Sequence, residues 1–263
     1  MNIKNKFRGL KEIWQFDNHW YLALTRILFP GEKIQFYRYK GLEILIDHSA
    51  GDANGAREVL TSDMYRRYLK EIDGKKNLTV LDLGANNGGF PLLLKSEGFE
   101  IERLVCVELN PKTSARLRFN LDKNFDNIFT VLNCAVTGEK RRLQINLGTG
   151  GAGDNIYRNK GADAYSIQGL DFDEIYQSAI GEKITDICKM DVEGAEFEIF
   201  SNTKYDCIKK CRFLLMEIHH EKATPRNFVL EKLKQMNFSE IGGDSKNDEM
   251  HYVHFFKNES LQN

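Results

Sequence analysis

The chain has 263 residues, 41% hydrophobic and 29% charged, which suits one large α/β domain with room for an extension. Its 37 Lys and Arg nearly cancel 38 Asp and Glu, leaving a formal charge of −1 and no strong nucleic-acid signal of the kind a basic excess gives. The five cysteines are odd in number and no C-x-x-C is present, which argues against a disulfide framework or zinc centre and for a reduced, cytoplasmic protein.

The first thirty residues are rich in apolar side chains, among them Phe7, Trp14, Leu22 and Ile27, but Arg8, Lys11, Asp17 and Arg26 interrupt them. A signal peptide needs an unbroken apolar core, and a transmembrane segment needs about 20 mostly apolar residues. The pattern predicts instead one or two amphipathic helices, packed on the main domain or on a partner. A homo-oligomer through this extension is one such arrangement, and peripheral membrane contact is another use of the same surface.

Residues 34–47 read as a hairpin turning at Lys40-Gly41, and 57–71 as a helix ended by Asp73-Gly74. Residues 1–77 thus form an N-terminal extension ahead of a second unit, 78–263. There the pattern alternates. Strands are predicted at 79–83, 104–108, 128–136, 184–191, 213–219 and 252–257, with added β segments at 141–147 and 164–170. Helices are predicted at 89–97, 112–122, 171–179, 194–200 and 225–237. Such alternation predicts a mostly parallel sheet covered on both faces, whose ligands lie beyond the carboxyl ends of the strands. The residues to inspect are therefore 82–88, 108–110, 133–135, 191–193 and 217–220.

The segment DLGANNGGF, residues 82–90, is a strand end, a tight turn and a helix start. Gly84 allows a sharp turn and close approach to a ligand, and the free N–H groups of a helix start bind polar groups. Glu108 follows Gly88 by 20 residues, where an acidic side chain can accept hydrogen bonds from both ribose hydroxyls. Two nucleoside cofactors fit, a dinucleotide or S-adenosyl-L-methionine. The dinucleotide motif wants a middle glycine where this chain has Asn86, and S-adenosylmethionine has no pyrophosphate to demand it. Asp82, Gly84, Ala85, Asn86, Asn87, Gly88, Glu108 and Asn110 are the candidate cofactor-binding residues, with Asp82 as a direct or water-mediated acceptor. Asn133, at the end of the third strand, is a further candidate contact. Phe90 reads as core.

These residues, with VELNP at 107–111 and KMDVEGAE at 189–196, resemble the FkbM family of methyltransferases. QGLDFDE at 168–174 and MEIH at 216–219 extend the resemblance, which runs over roughly 78–240. It implies a class I methyltransferase Rossmann-like fold with seven strands, the last antiparallel, so that 78–263 is the catalytic domain. It also implies O-methylation of hydroxyl groups on sugars and macrolides, often in surface-polysaccharide chemistry, with a small-molecule or glycan hydroxyl as acceptor.

A hydroxyl acceptor needs a general base or a metal that lowers its pKa. Asp191 ends the fourth core strand and is expected to orient the acceptor or act as base, with Lys189 and Glu193 flanking it. Glu217 and His219, two apart on one strand, share a face. Asp191, Glu217 and His219 are the candidate catalytic residues and the one set that could hold a divalent metal. His251 and His254 are three apart on a strand, so they face opposite ways. The glycine-rich loop 148–158 is a candidate acceptor lid. Three other readings are open: methylation of RNA or another small molecule, a non-catalytic cofactor-binding scaffold, and a dinucleotide-dependent oxidoreductase.

Overall fold

The computed structural model describes residues 12–146, 156, 165–201, 206–219, 226–243 and 253–261. The main sheet grows from runs of apolar residues that must be covered on both sides. Strand β3 (Leu78–Leu83) is buried at every position, and β4 (Ile101–Val107) over its last four. β5 (Phe129–Leu132), β9 (Thr185–Met190) and β10 (Cys211–Glu217) lie parallel to them. β12 (Val253–Asn258) runs antiparallel between β10 and β11 (Phe238–Gly243), giving the order β11-β12-β10-β9-β3-β4-β5. This is the seven-stranded, mostly parallel sheet with an antiparallel last strand that the resemblance implies. A small sheet, β6 (Ala135–Val136), β8 (Tyr165–Leu170) and β7 (Arg141–Ile145), flanks it.

Helices cover both faces. α3 (Gly89–Ser96) and α4 (Pro111–Asn124) lie on one, α5 (Phe172–Ala179), α6 (Ala195–Ser201) and α7 (Asn227–Gln235) on the other. The core is accordingly split. Val80, Leu92, Leu93, Leu117 and Phe213 belong to the first layer; Leu81, Leu83, Ile175, Phe200 and Leu214 belong to the second. Helix starts are set locally. Asn110 accepts the Lys112 and Thr113 amides ahead of α4, with Pro111 at the first helical position. Asp171 accepts the Glu174 amide ahead of α5. All five cysteines are free and buried.

The N-terminal segment supplies α1 (His19–Leu28) and the hairpin β1 (Ile34–Tyr39) and β2 (Leu42–Asp47). The hairpin turns at Lys40-Gly41, where both residues take positive φ. Tyr37, Ile44 and Ile46 enter the same core layer as α3 and α4. The edge of β2 is closed by side chains. Asn120 and Asn124 of α4 accept the Leu45 and Glu43 amides at 2.7 and 3.0 Å and donate to the same residues' carbonyls at 3.2 and 2.7 Å. A strand edge that would otherwise be open is thus paired with a helix.

Three elements differ from the expected pattern. The helix expected over 57–71 is broken into α2 (Glu58–Thr61) and a 3₁₀ turn, Arg66–Glu71. Ser62 leaves the helical region, and the Arg66 guanidinium donates to the Leu60 and Ser62 carbonyls that the break leaves open. The strand expected over 128–136 divides at Asn133 and Cys134, because the Asn133 amide donates to the carbonyls of Glu108 and Leu109. β11 was not foreseen; it is an edge strand with one buried residue and two terminal glycines, so it carries no apolar run.

Candidate active site

Four strand ends, β3, β4, β9 and β10, open into one cavity, as expected for a sheet of this kind. Its first half is the turn after β3. Gly84 sits at φ +77°, and a Cβ there would lie 1.7 Å from the Asp191 carbonyl oxygen, so only glycine fits. The Gly84 and Ala85 amides donate to the Val107 carbonyl, and the Asp191 amide donates to Leu83 at 3.0 Å. Glu108 accepts the Asn86 amide on one oxygen at 2.9 Å and the Asn110 amide on the other at 2.8 Å. The carboxylate therefore shapes the loop as well as lining the cavity. The apolar walls here are Phe90, Val107, Leu109, Ala135 and Val136.

The second half is charged. Lys189 is buried, and its ammonium lies 3.2 Å from Asp82 and 3.7 Å from Asp191 and donates to the Gly84 carbonyl at 2.9 Å. One cation thus ties β9 to the glycine turn. Burial alone would weaken its proton, but Asp82, Asp191 and Glu217 outweigh that and hold the Lys189 pKa above its ordinary value. Asp82 is wholly buried with the Lys189 ammonium as its ion-pair partner; burial raises its pKa, and the charge of Lys189 and its hydrogen bond oppose the rise.

Asp191, Glu217 and His219 bring ligand-type atoms within 4.8 Å of one another. Glu217 ends β10, and His219 lies just beyond the strand. Tyr65 donates its hydroxyl to Glu217 at 2.5 Å. Burial and the nearby Asp191 charge push the Glu217 pKa up to about 7, against the Tyr65 bond, Lys189 and His219. Burial and the Glu217 charge keep the Tyr65 hydroxyl protonated. His219 Nδ1 bonds the buried Glu196 at 2.9 Å, while Nε2 faces Asp191 at 3.7 Å and Glu193 at 3.6 Å. Burial disfavours the imidazolium, but these three carboxylates prevail and raise its pKa to about 9. Glu193 itself takes φ +53° just before Gly194, an uncommon conformation for a side-chain-bearing residue.

Of the expected site residues, Gly84, Ala85, Asn86, Glu108, Asp191, Glu217 and His219 line the cavity. Asp82, Asn87, Gly88, Asn110 and Asn133 are not in its lining. Asp82 sits behind Lys189. Asn87 accepts the Ala56 amide at 2.7 Å, Gly88 begins α3 at φ +95°, Asn110 caps α4, and Asn133 holds two carbonyls between β4 and β5. The loop 148–158 lies outside the described residues except for Ile156, which lines the cavity. His220 and His251 are also outside them; His254 is buried against Glu240 at 2.7 Å.

Sequence reasoning missed the N-terminal wall. Gly55, Glu58, Val59, Met64 and Tyr65 close the cavity from a segment beyond the recognisable motifs. Gly55 and Gly89 are both tight there: a Cβ on Gly55 would lie 2.4 Å from Asn87 Oδ1, and one on Gly89 2.9 Å from Ala56 Cα. The role of Glu196 was readable only as the last residue of the 189–196 block.

The sequence profile described as the methyltransferase FkbM domain matches residues 82–240, more than half of the chain. The methyltransferase FkbM from Methylobacillus flagellatus KT superposes with a TM-score of 0.51 at 19% identity, over 74% of this chain and 47% of that one. The chain thus spans about half the length of that protein. Trm5b from Pyrococcus abyssi gives 0.50 at 13% identity, over 86% of this chain and 56% of that one. At such identities the likeness is one of fold alone. No curated protein sequence matches the chain. The matched segment contains the Gly84 turn, Glu108 and the whole Lys189–Glu196 block, and the chain belongs to the FkbM family of methyltransferases.

Proposed function

We propose that this methyltransferase moves the methyl group of S-adenosylmethionine to a hydroxyl of a carbohydrate. The observation that carries the reading is one cavity with two unlike halves. One end has a glycine turn, Glu108 and apolar walls; the other has Asp191, Glu193 and Glu217.

The first half suits the cofactor. Glu108 holds the loop with its carboxylate and lines the cavity, which sets an acceptor beside the place a ribose hydroxyl would take. Phe90, Val107 and Val136 offer apolar surface for a purine ring. When bound, the cofactor supplies an electrophilic methyl on a sulfonium. The protein's tasks are then to orient the acceptor and take its proton.

Glu217 is the base in this account. A group with a pKa near 7 is matched to neutral operation. Tyr65 holds its carboxylate in place, and Asp191 accepts a hydrogen bond from the acceptor. His219, protonated at neutral pH, has no lone pair to act as base, so it serves as a fixed positive charge that positions Asp191 and Glu193. Asp82 holds Lys189, and Lys189 holds the turn. Asn87, Gly88, Asn110 and Asn133 support the cofactor loop from outside.

Asp191, Glu193 and Glu217 offer acceptors to a polyhydroxyl compound, which donates many hydrogen bonds, while the chain's formal charge of −1 supplies no basic excess for RNA. Five buried free thiols support action in the cytoplasm. A second reading gives Asp191, Glu217 and His219 a divalent cation, favoured by their convergence and by the Glu196 bond to His219 Nδ1. The Lys189 ammonium, 3.7 Å from Asp191, already sets a positive charge beside that carboxylate, so the metal-free reading is preferred. Activity lost on chelation and restored by added magnesium or manganese would select the metal reading. Calorimetric titration with S-adenosylmethionine, its demethylated product and NAD tests the cofactor assignment: binding of the first two without NAD is expected.

A further inference from the structure

Nine of the twelve large hydrophobic side chains exposed among the described residues lie between Trp14 and Phe36. The methyl-transfer cavity uses none of them. On α1, Trp20, Tyr21, Leu24, Ile27 and Leu28 are exposed, while Leu22 and Thr25 are buried. At the helical rotation of 100° per residue, the five exposed positions fall within an arc of about 120°. The helix therefore turns an apolar stripe to solvent, with Trp20 71% and Ile27 75% exposed. Trp14 extends the stripe by meeting Trp20 edge-on at 4.8 Å.

Two features of the chain select what covers this face. The first is charge. By sequence, residues 1–40 contain eight Lys and Arg against three Asp and Glu, a net +5 in a chain of net −1; Lys4, Lys6, Arg8 and Lys11, which precede the described residues, supply four of those cations. The second is side-chain type. Tryptophan and tyrosine rings suit the boundary between headgroup and acyl chain. Leu24, Ile27 and Leu28 offer neither hydrogen bonds nor stacking planes to RNA bases, but they do fit acyl chains. No helix among the described residues is long and apolar enough to cross a membrane, so the fitting mode is one lying in the interface.

We propose that α1 and the basic segment around it dock this enzyme on an anionic lipid surface. The acidic remainder of the chain is repelled by the same surface, so the two charges together set one orientation. This docking is independent of which acceptor the enzyme methylates.

The test is co-sedimentation of the full chain with vesicles of equal parts phosphatidylglycerol and phosphatidylcholine, and with vesicles of phosphatidylcholine alone. Binding to the anionic vesicles should be about tenfold tighter or more, and should weaken with salt. The double variant Trp20→Ser, Ile27→Ser should lose binding by a similar factor while keeping its circular dichroism spectrum and its S-adenosylmethionine affinity. The variant Arg26→Glu, Lys33→Glu probes the charge of the same segment and should also bind more weakly. No binding to either vesicle, or undiminished binding by both variants, overturns the proposal. So does a dimer in gel filtration that Trp20→Ser, Ile27→Ser dissociates with no lipid binding, which assigns the face to a second copy. RNA binding lost in the same variants, again without lipid binding, overturns it too. None of these readouts uses methyl transfer, so failure here and failure of the carbohydrate reading are distinguishable.

Discussion

Tyr65 donates its hydroxyl at 2.5 Å to Glu217, although the two residues are 152 positions apart and Tyr65 precedes the family-matched segment. The hydrogen bond lowers the Glu217 pKa against burial and Asp191. Tyr65→Phe should therefore move the ascending limb of the kcat/KM profile above pH 7 and reduce turnover at neutral pH about tenfold or more. Cofactor affinity should stay unchanged. A pH–rate profile of the variant, compared with the native enzyme, checks all three.

Glu217→Gln separates catalysis from stability. The carboxyl pKa is raised from 4.5 to about 7, so the folded state holds its proton more tightly than the unfolded chain does. Stability is thus lost as pH rises through that interval, and the ionised carboxylate costs stability above it. The neutral amide removes that cost. The variant should lose about 100-fold or more in kcat and yet melt about 2–4 °C higher at pH 8, corresponding to about 1 kcal/mol.

His219 is linked to pH in the same sense, but through a charged form that the fold favours. Its pKa is raised from 6.5 to about 9, so its stabilisation is fully present below pH 6.5 and is lost as pH rises through about 9. Thermal melts of the native protein should fall over that window, and those of His219→Gln should fall less. Because the imidazolium also positions Asp191, a descending limb of activity near pH 9 is expected in the native enzyme and not in the variant.

Gly84→Ala tests the turn that joins the two halves. The added methyl would meet the Asp191 carbonyl at 1.7 Å, on backbone at φ +77°. Backbone must move on one side or the other, at a cost of about 2–3 kcal/mol or more. Denaturant titration should register that loss, and both cofactor affinity and turnover should fall together, since β3 and β9 shift as one.

Glu108→Ala removes the acceptor of the Asn86 and Asn110 amides together with the candidate ribose partner. S-adenosylmethionine affinity should drop about tenfold or more in calorimetry. Glu108→Gln keeps one acceptor oxygen and should recover part of it.

Much of this fold is legible from local pattern. β3 and the end of β4 are continuous apolar runs because both their faces are covered, and Lys40-Gly41 marks its hairpin by the backbone it permits. The strand ends then name Gly84, Glu108, Asp191 and Glu217, all of which line one cavity. What pattern does not carry is contact between distant segments. The helical period of 57–71 says nothing of Ser62, where the chain breaks so that Tyr65 can reach the sheet. Asp82 and Asn133 stand at the right strand ends, but Lys189 and the β4 carbonyls engage them. β11 is an exposed edge with little to bury, so no apolar run announces it.

The most direct measurement follows isotope-labelled methyl from S-adenosylmethionine into parallel pools of saccharide and RNA, with the native enzyme and with Glu217→Gln. Label in the saccharide pool as an ether-linked methyl, abolished in the variant, is the predicted result. Label in RNA, or equal labelling of saccharide by both proteins, would contradict the account.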